Sequence, residues 1–297
     1  MNTLQTIRKK MHNDLLKEIR DDYEIQERIN TRLFKLAENA NSLCGFDALN
    51  WEQSDRYCYY KRIHELLELS DVIGESTLKR IGKKNDGGYV MACPMSREKI
   101  AYSIGISDDV SWDKAMSKFG YDIYMYDHTI EGLPEDNNRF HWQKKGITGE
   151  LENKCEDLLS LEEMLSINGH NHLSGMILKM DVEGYEWDVF NNADLDTLNR
   201  FDQIVVELHG LLEFENKEKI LGALERIAST FFTVHVHANN WGDVDYEGNL
   251  VMPTMLEVTF VNKNAWNCRK SEKILPILID QKCVGKLPEI KLGKWNV

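Results

Sequence analysis

Short apolar runs alternate with segments of helical periodicity from about residue 100 to residue 261. Apolar runs of about four to eight residues are typical of buried strands, whereas a spacing of three to four residues is typical of amphipathic helices. The predicted strands are Ala101–Ile106, Tyr121–Tyr126, 139–147, Met176–Met180, Phe201–Leu208, Phe231–His237 and Met255–Val261. The predicted helices between them are Val110–Phe119, Leu158–Leu165 and Lys217–Ser229. This alternation predicts an α/β fold with a Rossmann-like, doubly wound sheet that is mostly parallel. No helix fits between the last two strands, so they are expected to form an antiparallel final hairpin.

The first part of the chain is helical in pattern. Apolar side chains recur at helical spacing over residues 3–40, among them Ile19, Tyr23 and Leu33. This predicts one long helix or two shorter ones, and a further helical region follows over about 51–69. No low-complexity linker separates these helices from the rest, so we expect them to dock on the main domain. A ligand-binding cap and a homodimer contact are alternative roles for them.

Two polar segments interrupt the strands and helices. Asp86-Gly87-Gly88 predicts a tight turn within Lys79–Met91, because glycine supplies the positive φ values that such turns need. The turn predicts a hairpin at the domain edge or, alternatively, a loop over a cofactor. Ala238–Pro253 is long and polar, as loops that cover a site often are.

The stretch Met176–Phe190 joins a buried strand to an acidic turn. Its apolar part ends at Met180, and Asp181, Glu183 and Glu186 follow directly. Ligands of open α/β sheets bind at the carboxyl ends of the strands. The sequence therefore predicts that these carboxylates line a site, with simple capping of the next helix as the alternative.

Histidines follow at the ends of the next predicted strands. Glu207 and His209 share one face of their strand, and so do His235 and His237, because residues two apart in a strand point the same way. Adjacent strands would bring Asp181, His209 and His237 into one pocket. A histidine beside a carboxylate can act as a general base, which makes these three the candidate catalytic residues. The same types of group also bind divalent cations such as Mg²⁺, so Asp181, Glu207, His209 and His237 are candidate metal ligands.

A glycine and an acid mark the ends of the first two predicted strands of the alternating region. Gly105 lies ahead of a helix, and Asp127 follows about twenty residues later, the spacing at which α/β folds present a carboxylate to a ribose diol. A glycine at such a turn lets a ligand approach the backbone closely. The pair indicates an adenosine-containing cofactor, with Gly105, Ser107, Asp127, His128 and Asp181 as candidate contacts. Only one glycine is present, so the three-glycine dinucleotide fingerprint is incomplete.

Composition narrows the classes of partner. The net charge is −13 and the pI is about 5.2, which argues against a nucleic-acid backbone as the main partner. The six cysteines form no CxxC pair, which argues against a zinc knuckle and favours a reducing compartment. The N-terminus lacks the apolar core of a signal peptide, and no segment approaches the roughly 20 apolar residues of a membrane span. A cytoplasmic protein is expected.

The segment Lys179-Met180-Asp181-Val182-Glu183-Gly184-Tyr185-Glu186 resembles the signature of the FkbM-type S-adenosylmethionine-dependent methyltransferases. The positions of Gly105 and Asp127 are similar to the first two cofactor motifs of that superfamily. Arg80-Ile81-Gly82 and Asp86-Gly87-Gly88-Tyr89 also resemble segments found just ahead of its core. The resemblance covers about residues 78–263.

This resemblance implies S-adenosyl-L-methionine as the cofactor and methyl transfer to a hydroxyl oxygen, often on a sugar, glycan or polyketide. Within this framework we expect an N-terminal helical region over 1–75, a methyltransferase domain over 76–265 and a C-terminal extension over 266–297. The expected substrate is a small carbohydrate or nucleotide-linked sugar for surface polysaccharide biosynthesis. The basic cluster Lys79, Arg80, Lys83 and Lys84 would meet a phosphate. An NAD-dependent oxidoreductase, a non-catalytic scaffold protein and a protein methyltransferase are the alternatives.

Overall fold

The computed structural model describes residues 2–44, 54–96, 98–150 and 155–297. The helices in these ranges are α1 (Asn2–Cys44), α2 (Asp55–Leu66), α3 (Ser111–Lys118), α4 (Leu161–Ile167), α5 (Glu186–Asn192), α6 (Leu195–Leu198) and α7 (Lys217–Thr230). The strands up to the middle of the chain are β1 (Ser70–Val72), β2 (Thr77–Ile81), β3 (Tyr89–Cys93), β4 (Ile100–Ile104), β5 (Asp122–Tyr126), β6 (Phe140–Gln143), β7 (Gly146–Ile147), β8 (Leu158–Leu159) and β9 (Met176–Met180). The later strands are β10 (Phe201–Leu208), β11 (Phe231–Ala238), β12 (Val244–Glu247), β13 (Leu250–Pro253), β14 (Leu256–Asn262), β15 (Cys268–Lys270), β16 (Ile274–Leu275) and β17 (Gly293–Lys294).

A seven-stranded sheet forms the centre of the fold, in the order β11-β14-β10-β9-β4-β5-β6. Strand β14 runs antiparallel to both of its neighbours, and the remaining pairs are parallel. The predicted mostly parallel sheet with an antiparallel final hairpin is therefore confirmed. The chain returns from β11 to β14 without a helix, and a direct return gives an antiparallel pair.

Apolar side chains cover both faces of this sheet. One face packs against α2, α4, α5 and α7, and helix α7 buries Ile220, Leu224 and Ile227 there, as its periodicity predicted. The other face packs against α3 and the hairpin β2–β3, including Trp112 and Met91. The C-terminal segment joins the first of these clusters through Trp295, which is fully buried. The domain boundaries expected at residues 75 and 265 stay a prediction.

The boundaries around the third predicted strand differ from expectation. The run 139–147 forms two strands, because β7 leaves the sheet and pairs with β8. The predicted helix Leu158–Leu165 begins later, at Leu161. Ser160 accepts a hydrogen bond from the Glu163 backbone N–H, and the Glu163 side chain accepts one in return from the Ser160 N–H. This capping box fixes the start of α4 and leaves Leu158 and Leu159 free to pair as a strand.

The hairpin β2–β3 forms as its turn predicted, but it lies across the sheet rather than at the edge of the domain. The Gln203 side chain, on β10, accepts a hydrogen bond from the Ala92 backbone N–H at 2.7 Å. Thr259, on β14, donates to the Val90 carbonyl. These contacts hold the hairpin over the carboxyl half of the sheet.

The segment Ala238–Pro253 was expected to be a loop, yet it contains the hairpin β12–β13. Val244, Leu250 and Met252 are buried and join the large core cluster. The polar residues around these positions hid the alternation of buried and exposed side chains. Helix α1 packs along strand β12 of this hairpin.

Helix α1 is one continuous helix and docks on the domain through polar contacts. Arg32 is buried and donates to the carbonyls of Asn240 and Gly242. Of the described apolar residues expected to dock, Ile29 is half-buried, but others are exposed instead, including Tyr23 at 70% and Leu33 at 59%. A homodimer contact through this helix stays a prediction, and the expected helix start near Trp51 lies outside the described residues. Across the described part of the chain, no helix is both long and apolar enough to pass through a bilayer.

Candidate active site

A cavity of about 820 Å³ opens at the carboxyl ends of β4, β5, β9 and β10. The strand order reverses here, because the chain fills one side of β4 with β5 and β6 and the other side with β9 and β10. Open α/β sheets bind their ligands in the crevice at such a point. We call Gly105–Ser107 with Asp127–Thr129 the glycine side of the cavity. Asp181, Glu183, Glu207 and His209 form its acidic side.

Gly105 is required at the turn after β4 for two reasons. Its φ is +77°, in the left-handed region that favours glycine. A Cβ atom at this position would also overlap the carbonyl oxygen of Asp181 on the neighbouring strand. The buried amino group of Lys179 donates to the Gly105 carbonyl at 2.6 Å and fixes the turn from below. Glycine at this position therefore lets the turn pack directly against the backbone of Asp181.

Asp127 is almost fully buried and organises the glycine side. One of its carboxylate oxygens accepts the backbone N–H groups of Ile106 and Ser107, both at 2.9 Å. The other oxygen accepts the backbone N–H and the hydroxyl of Thr129 at 2.8 and 2.6 Å. Burial alone would raise the pKa of Asp127, but these hydrogen bonds outweigh burial and lower it. The carboxylate is thus ionised and already accepts four donors from the chain, so any ribose contact would have to share it.

The two other predicted contacts on the glycine side also line the cavity. Ser107 lies in the left-handed region with φ 51°, directly after Ile106. The ring of His128 packs against Gly146, where a Cβ atom would collide with it. The structure therefore brings Gly105, Ser107, Asp127 and His128 together, as their positions after β4 and β5 predicted.

Glu186 is the organising residue of the acidic turn. Its side chain is fully buried, and it accepts the Gly184 N–H at 2.9 Å and the His209 N–H at 2.6 Å. It also lies 3.3 Å from Nδ1 of His209. A carboxylate in this position directs Nε2 of the histidine ring into the cavity. Glu183 has a positive φ of 54° and is exposed at the cavity mouth.

Nε2 of His209 faces a group of carboxylates. It lies 3.8 Å from Asp181 and 3.8 Å from Glu207. One ligand atom from each of these three residues lies within 4.8 Å of the others, a separation that suits a bound cation. Tyr89 donates to Asp181 at 3.1 Å, and Asn239 donates to Glu207 at 2.5 Å, so both carboxylates are held in place.

The charges on the acidic side are strongly coupled. Burial would lower the pKa of His209, but the hydrogen bond and charge of Glu186, together with Glu207 and Asp181, raise it to about 9. Burial and the charge of Asp181 raise the pKa of Glu207 well above its usual value, and His209 opposes this rise. In the cation-free protein His209 is therefore an imidazolium at neutral pH, which cannot accept a proton.

His237 lies apart from the residues that line the cavity. Its Nδ1 contacts Glu257 at 2.8 Å, and its Nε2 contacts Glu289 at 3.3 Å. Burial would lower the pKa of His237, but these two hydrogen bonds raise it to about 10. The four candidate metal ligands therefore divide: Asp181, Glu207 and His209 form one group, and His237 belongs to a second group with Glu257 and Cys283.

Several residues at the site were not singled out from the sequence as functional. Lys179 and Tyr89 lie in segments that we quoted, but their contacts with Gly105 and Asp181 depend on strand pairing. Glu257 lies on β14, where every residue is buried, but alternation with apolar residues does not distinguish it in sequence from a solvent-facing acid. Cys283 lies in the irregular C-terminal segment, where no periodic signal marks it.

The comparison that decides the family is with a family model. A model described as a methyltransferase domain matches residues 26–262. The chain belongs to this methyltransferase family. No curated protein matches the chain in sequence. The family implies S-adenosylmethionine as the methyl donor.

Among solved structures, a predicted O-methyltransferase from Agrobacterium tumefaciens is 9% identical, covering 58% of this chain and 77% of that one, with a TM-score of 0.34. A mutant of the 16S rRNA (adenine(1408)-N(1))-methyltransferase from Catenulisporales acidiphilia is also 9% identical, covering 56% and 86%, with a TM-score of 0.32.

The glycine side of the cavity fits the adenosine part of this donor. Ile106, Ile147 and Leu158 give the cavity apolar walls of the kind that suit a planar base. The glycine side of the cavity is therefore consistent with the predicted cofactor. The family match favours neither the oxidoreductase nor the scaffold alternative, and the resemblance to the FkbM type stays a prediction.

Proposed function

We propose that this methyltransferase is of the FkbM type and transfers the methyl group to a hydroxyl oxygen of a carbohydrate. The observation that carries the proposal is the group Asp181, Glu207 and His209 beside the Gly105 turn in one cavity. S-adenosylmethionine supplies an electrophilic methyl group when it is bound. The chain must then place an acceptor next to that group and remove the proton of the acceptor.

The glycine side would hold the cofactor mainly through the shape of its turns, whose backbone groups already have partners within the chain. Asp127 fixes the N–H groups of Ile106 and Ser107, and Lys179 fixes the Gly105 carbonyl. We assign Asp127 the role of shaping the turn, with any ribose contact secondary to its four internal hydrogen bonds. Ser107 and His128 would border the bound adenosine.

The acidic side would hold a divalent cation. Asp181, Glu207 and His209 offer two carboxylates and one imidazole, a donor set that suits Mg²⁺ or Mn²⁺. Such a cation lowers the pKa of an oxygen bound to it, which is the chemistry that a weakly acidic sugar hydroxyl needs. We assign His209 to ligation, in which a bound cation would displace the proton that the ring carries without it. His237 lies outside the lining and is not assigned to the acceptor.

The lining around the acidic side supports a neutral acceptor that is rich in hydroxyl groups. Asn239 and Trp241 line the cavity there, and Trp241 is 38% exposed, with Arg28 stacked on its ring. The basic cluster is less suited to a phosphate. Arg80 donates to backbone carbonyls of its own turn, and Lys83 pairs with Asp109 at 3.1 Å. A neutral glycan therefore fits better than a nucleotide-linked sugar. A role in surface polysaccharide biosynthesis follows from this substrate class.

Calorimetric titration with S-adenosylhomocysteine, with and without Mg²⁺, tests the proposal first. We expect micromolar binding in both buffers, because the cofactor side does not include the cation group. Methyl transfer from labelled S-adenosylmethionine to a panel of neutral glycans and nucleotide sugars follows, with Mg²⁺ or EDTA. Transfer to a neutral glycan that EDTA abolishes supports the proposal. Cofactor binding with transfer only to nucleotide sugars, or with full activity in EDTA, would contradict it.

A further inference from the structure

A second group of side chains that could bind a metal lies next to the acidic side of the cavity: Cys283 lines the cavity, and Glu257 pairs with Glu207 across β10 and β14. His237, Glu257 and Cys283 are all buried, and one ligand atom of each lies within 4.8 Å of the others. Glu257 Oε2 lies 2.8 Å from His237 Nδ1, and Glu257 Oε1 lies 3.4 Å from the Cys283 sulfur. We propose that these three residues bind a zinc ion, at a site separate from the one proposed for methyl transfer.

The arrangement around His237 is that of a metal ligand with an oriented ring. His237 and Glu257 are direct partners across the β11–β14 pair, so the sheet itself sets their separation. Glu289 contacts the opposite ring nitrogen, Nε2, at 3.3 Å. Histidines that bind metals usually donate their other N–H to a carboxylate in this way, which leaves the first nitrogen free for the ion. Nδ1 of His237 is the nitrogen that faces Glu257.

The donor atoms select a different ion from the one proposed for the acidic side. Cys283 adds a sulfur to one nitrogen and one carboxylate oxygen, and thiolate with imidazole is a set that zinc prefers over magnesium. The thiol loses its proton when the metal binds. Three protein ligands leave one coordination position, which a water molecule would take. Cys283 also borders the cavity.

The C-terminal segment shows what the ion would hold together. Residues 276–290 contain no regular strand or helix, yet they cover the ends of β11 and β14. Asp280 contacts His235 at 2.7 Å, and the Asn240 amide donates to the Val284 carbonyl at 3.0 Å. Cys283 is the only ligand of the proposed site from this segment. Zinc would therefore fasten the segment to the sheet next to the cavity.

Cobalt substitution tests the site, because a Co²⁺–thiolate bond gives an intense near-ultraviolet absorption band that carboxylate and imidazole ligands do not give. The full chain is depleted of metal with a chelator and titrated with Co²⁺, then with Zn²⁺. We expect a thiolate band that saturates with added cobalt and disappears when zinc displaces cobalt. Cys283→Ser should lose the band. Cys155→Ser, which changes an exposed cysteine, and Asp181→Asn, which changes the acidic side, should both keep it.

Two further measurements make the result decisive if Cys283→Ser folds poorly. Glu289→Gln retains the three ligands and should weaken zinc binding about tenfold. Zinc should raise the Tm of the metal-depleted parent by roughly 5 °C, and chelation should reverse this rise. Absence of a thiolate band in the folded parent would overturn the proposal, and His237 would then be an imidazolium held between two carboxylates. A band that survives in Cys283→Ser would also overturn it.

Discussion

The two sides of the cavity are built by different means. On the glycine side the chain presents backbone, and its one buried carboxylate, Asp127, is engaged by N–H and hydroxyl groups of the same turn. On the acidic side the chain presents side chains, and Asp181, Glu207 and His209 face one another with only partial compensation of charge. Both sides meet at Gly105, which packs against the backbone of Asp181.

The difference indicates a division of labour. Backbone donors held by a buried carboxylate are rigid and bear little chemistry of their own, as recognition of an invariant cofactor requires. Side chains with shifted pKa values are typical of groups that bind ions or move protons. If this division holds, changes on one side should leave the function of the other side intact. The predictions below test that independence.

Asp181→Asn is expected to separate the functions of the two sides most clearly, because it should impair cation binding and methyl transfer but not cofactor binding. The amide keeps the shape and can still accept the hydrogen bond from Tyr89, but it removes one charged oxygen from the cation group. We expect Mn²⁺ binding at least ~10-fold weaker and methyl transfer slower by roughly 10²-fold, measured by calorimetry and by a labelled-methyl assay. S-adenosylhomocysteine affinity should change little. Asp196→Asn, at an exposed acid of α6 that does not line the cavity, is the control and should leave cation binding nearly unchanged.

Asp127→Ala is expected to have the opposite effect, with cofactor binding impaired and cation binding retained. Removing this carboxylate leaves the N–H groups of Ile106, Ser107 and Thr129 without their acceptor. We expect the free energy of unfolding to fall by roughly 3 kcal/mol. S-adenosylhomocysteine binding should weaken at least ~10-fold, while Mn²⁺ binding is retained. Asp136→Ala, at an exposed position after the same strand, is the matched control. Unchanged cofactor affinity in Asp127→Ala would refute the role of the turn.

Gly105→Ala should break the independence of the two sides, because the new Cβ would collide with the Asp181 carbonyl oxygen. We expect a loss of roughly 2–3 kcal/mol in the free energy of unfolding by urea, with both cofactor and cation binding weakened. Gly169→Ala is the matched control. Gly169 has a similar φ of +73°, but open space surrounds it, so this variant measures the backbone cost alone. Equal losses in the two variants would show that the contact with Asp181 does not matter.

The smallest effect is the dependence of stability on pH, and its sign differs between the sides. In the metal-free protein the pKa of His209 is raised from 6.5 to about 9, so its contribution is complete below pH 6.5 and is lost as pH rises through about 9. The pKa of Asp127 is lowered from 3.8, so its contribution is present above pH 3.8 and is lost as pH falls below that value. Urea unfolding in EDTA across this range measures both.

Glu186→Gln provides the matched variant for the pH measurement. The charge of Glu186 is one of the causes that raise the pKa of His209, so the loss of stability on the alkaline side should begin at a lower pH in this variant. The loss of stability at acid pH, which depends on Asp127, should occur at the same pH as in the parent. If the variant and the parent lose stability at the same alkaline pH, Glu186 does not set the protonation of His209.

Local patterns of apolar and polar residues predicted much of this fold. The apolar runs that became β4, β5, β9, β10, β11 and β14 were evident, because strands that are buried on both faces appear as largely apolar segments. The candidate residues Gly105, Asp127, Asp181 and His209 followed from the rule that ligands bind at the carboxyl ends of such strands. The hairpin β12–β13 and the short strand β8 were missed, since polar residues and a helix cap masked their weak local signals.

The sequence by itself thus determined the sheet, its direction and the edge at which the site lies, because strand periodicity and turn residues act over short distances. Only the tertiary structure decided which charges meet. His209 and His237 have similar neighbours in sequence, yet strand order places one at the cavity and the other opposite Glu257 and Cys283. Cys283 reaches that group from the C-terminal segment, across a separation that no local pattern spans. Contacts of this kind depend on how the chain packs, which periodicity does not encode.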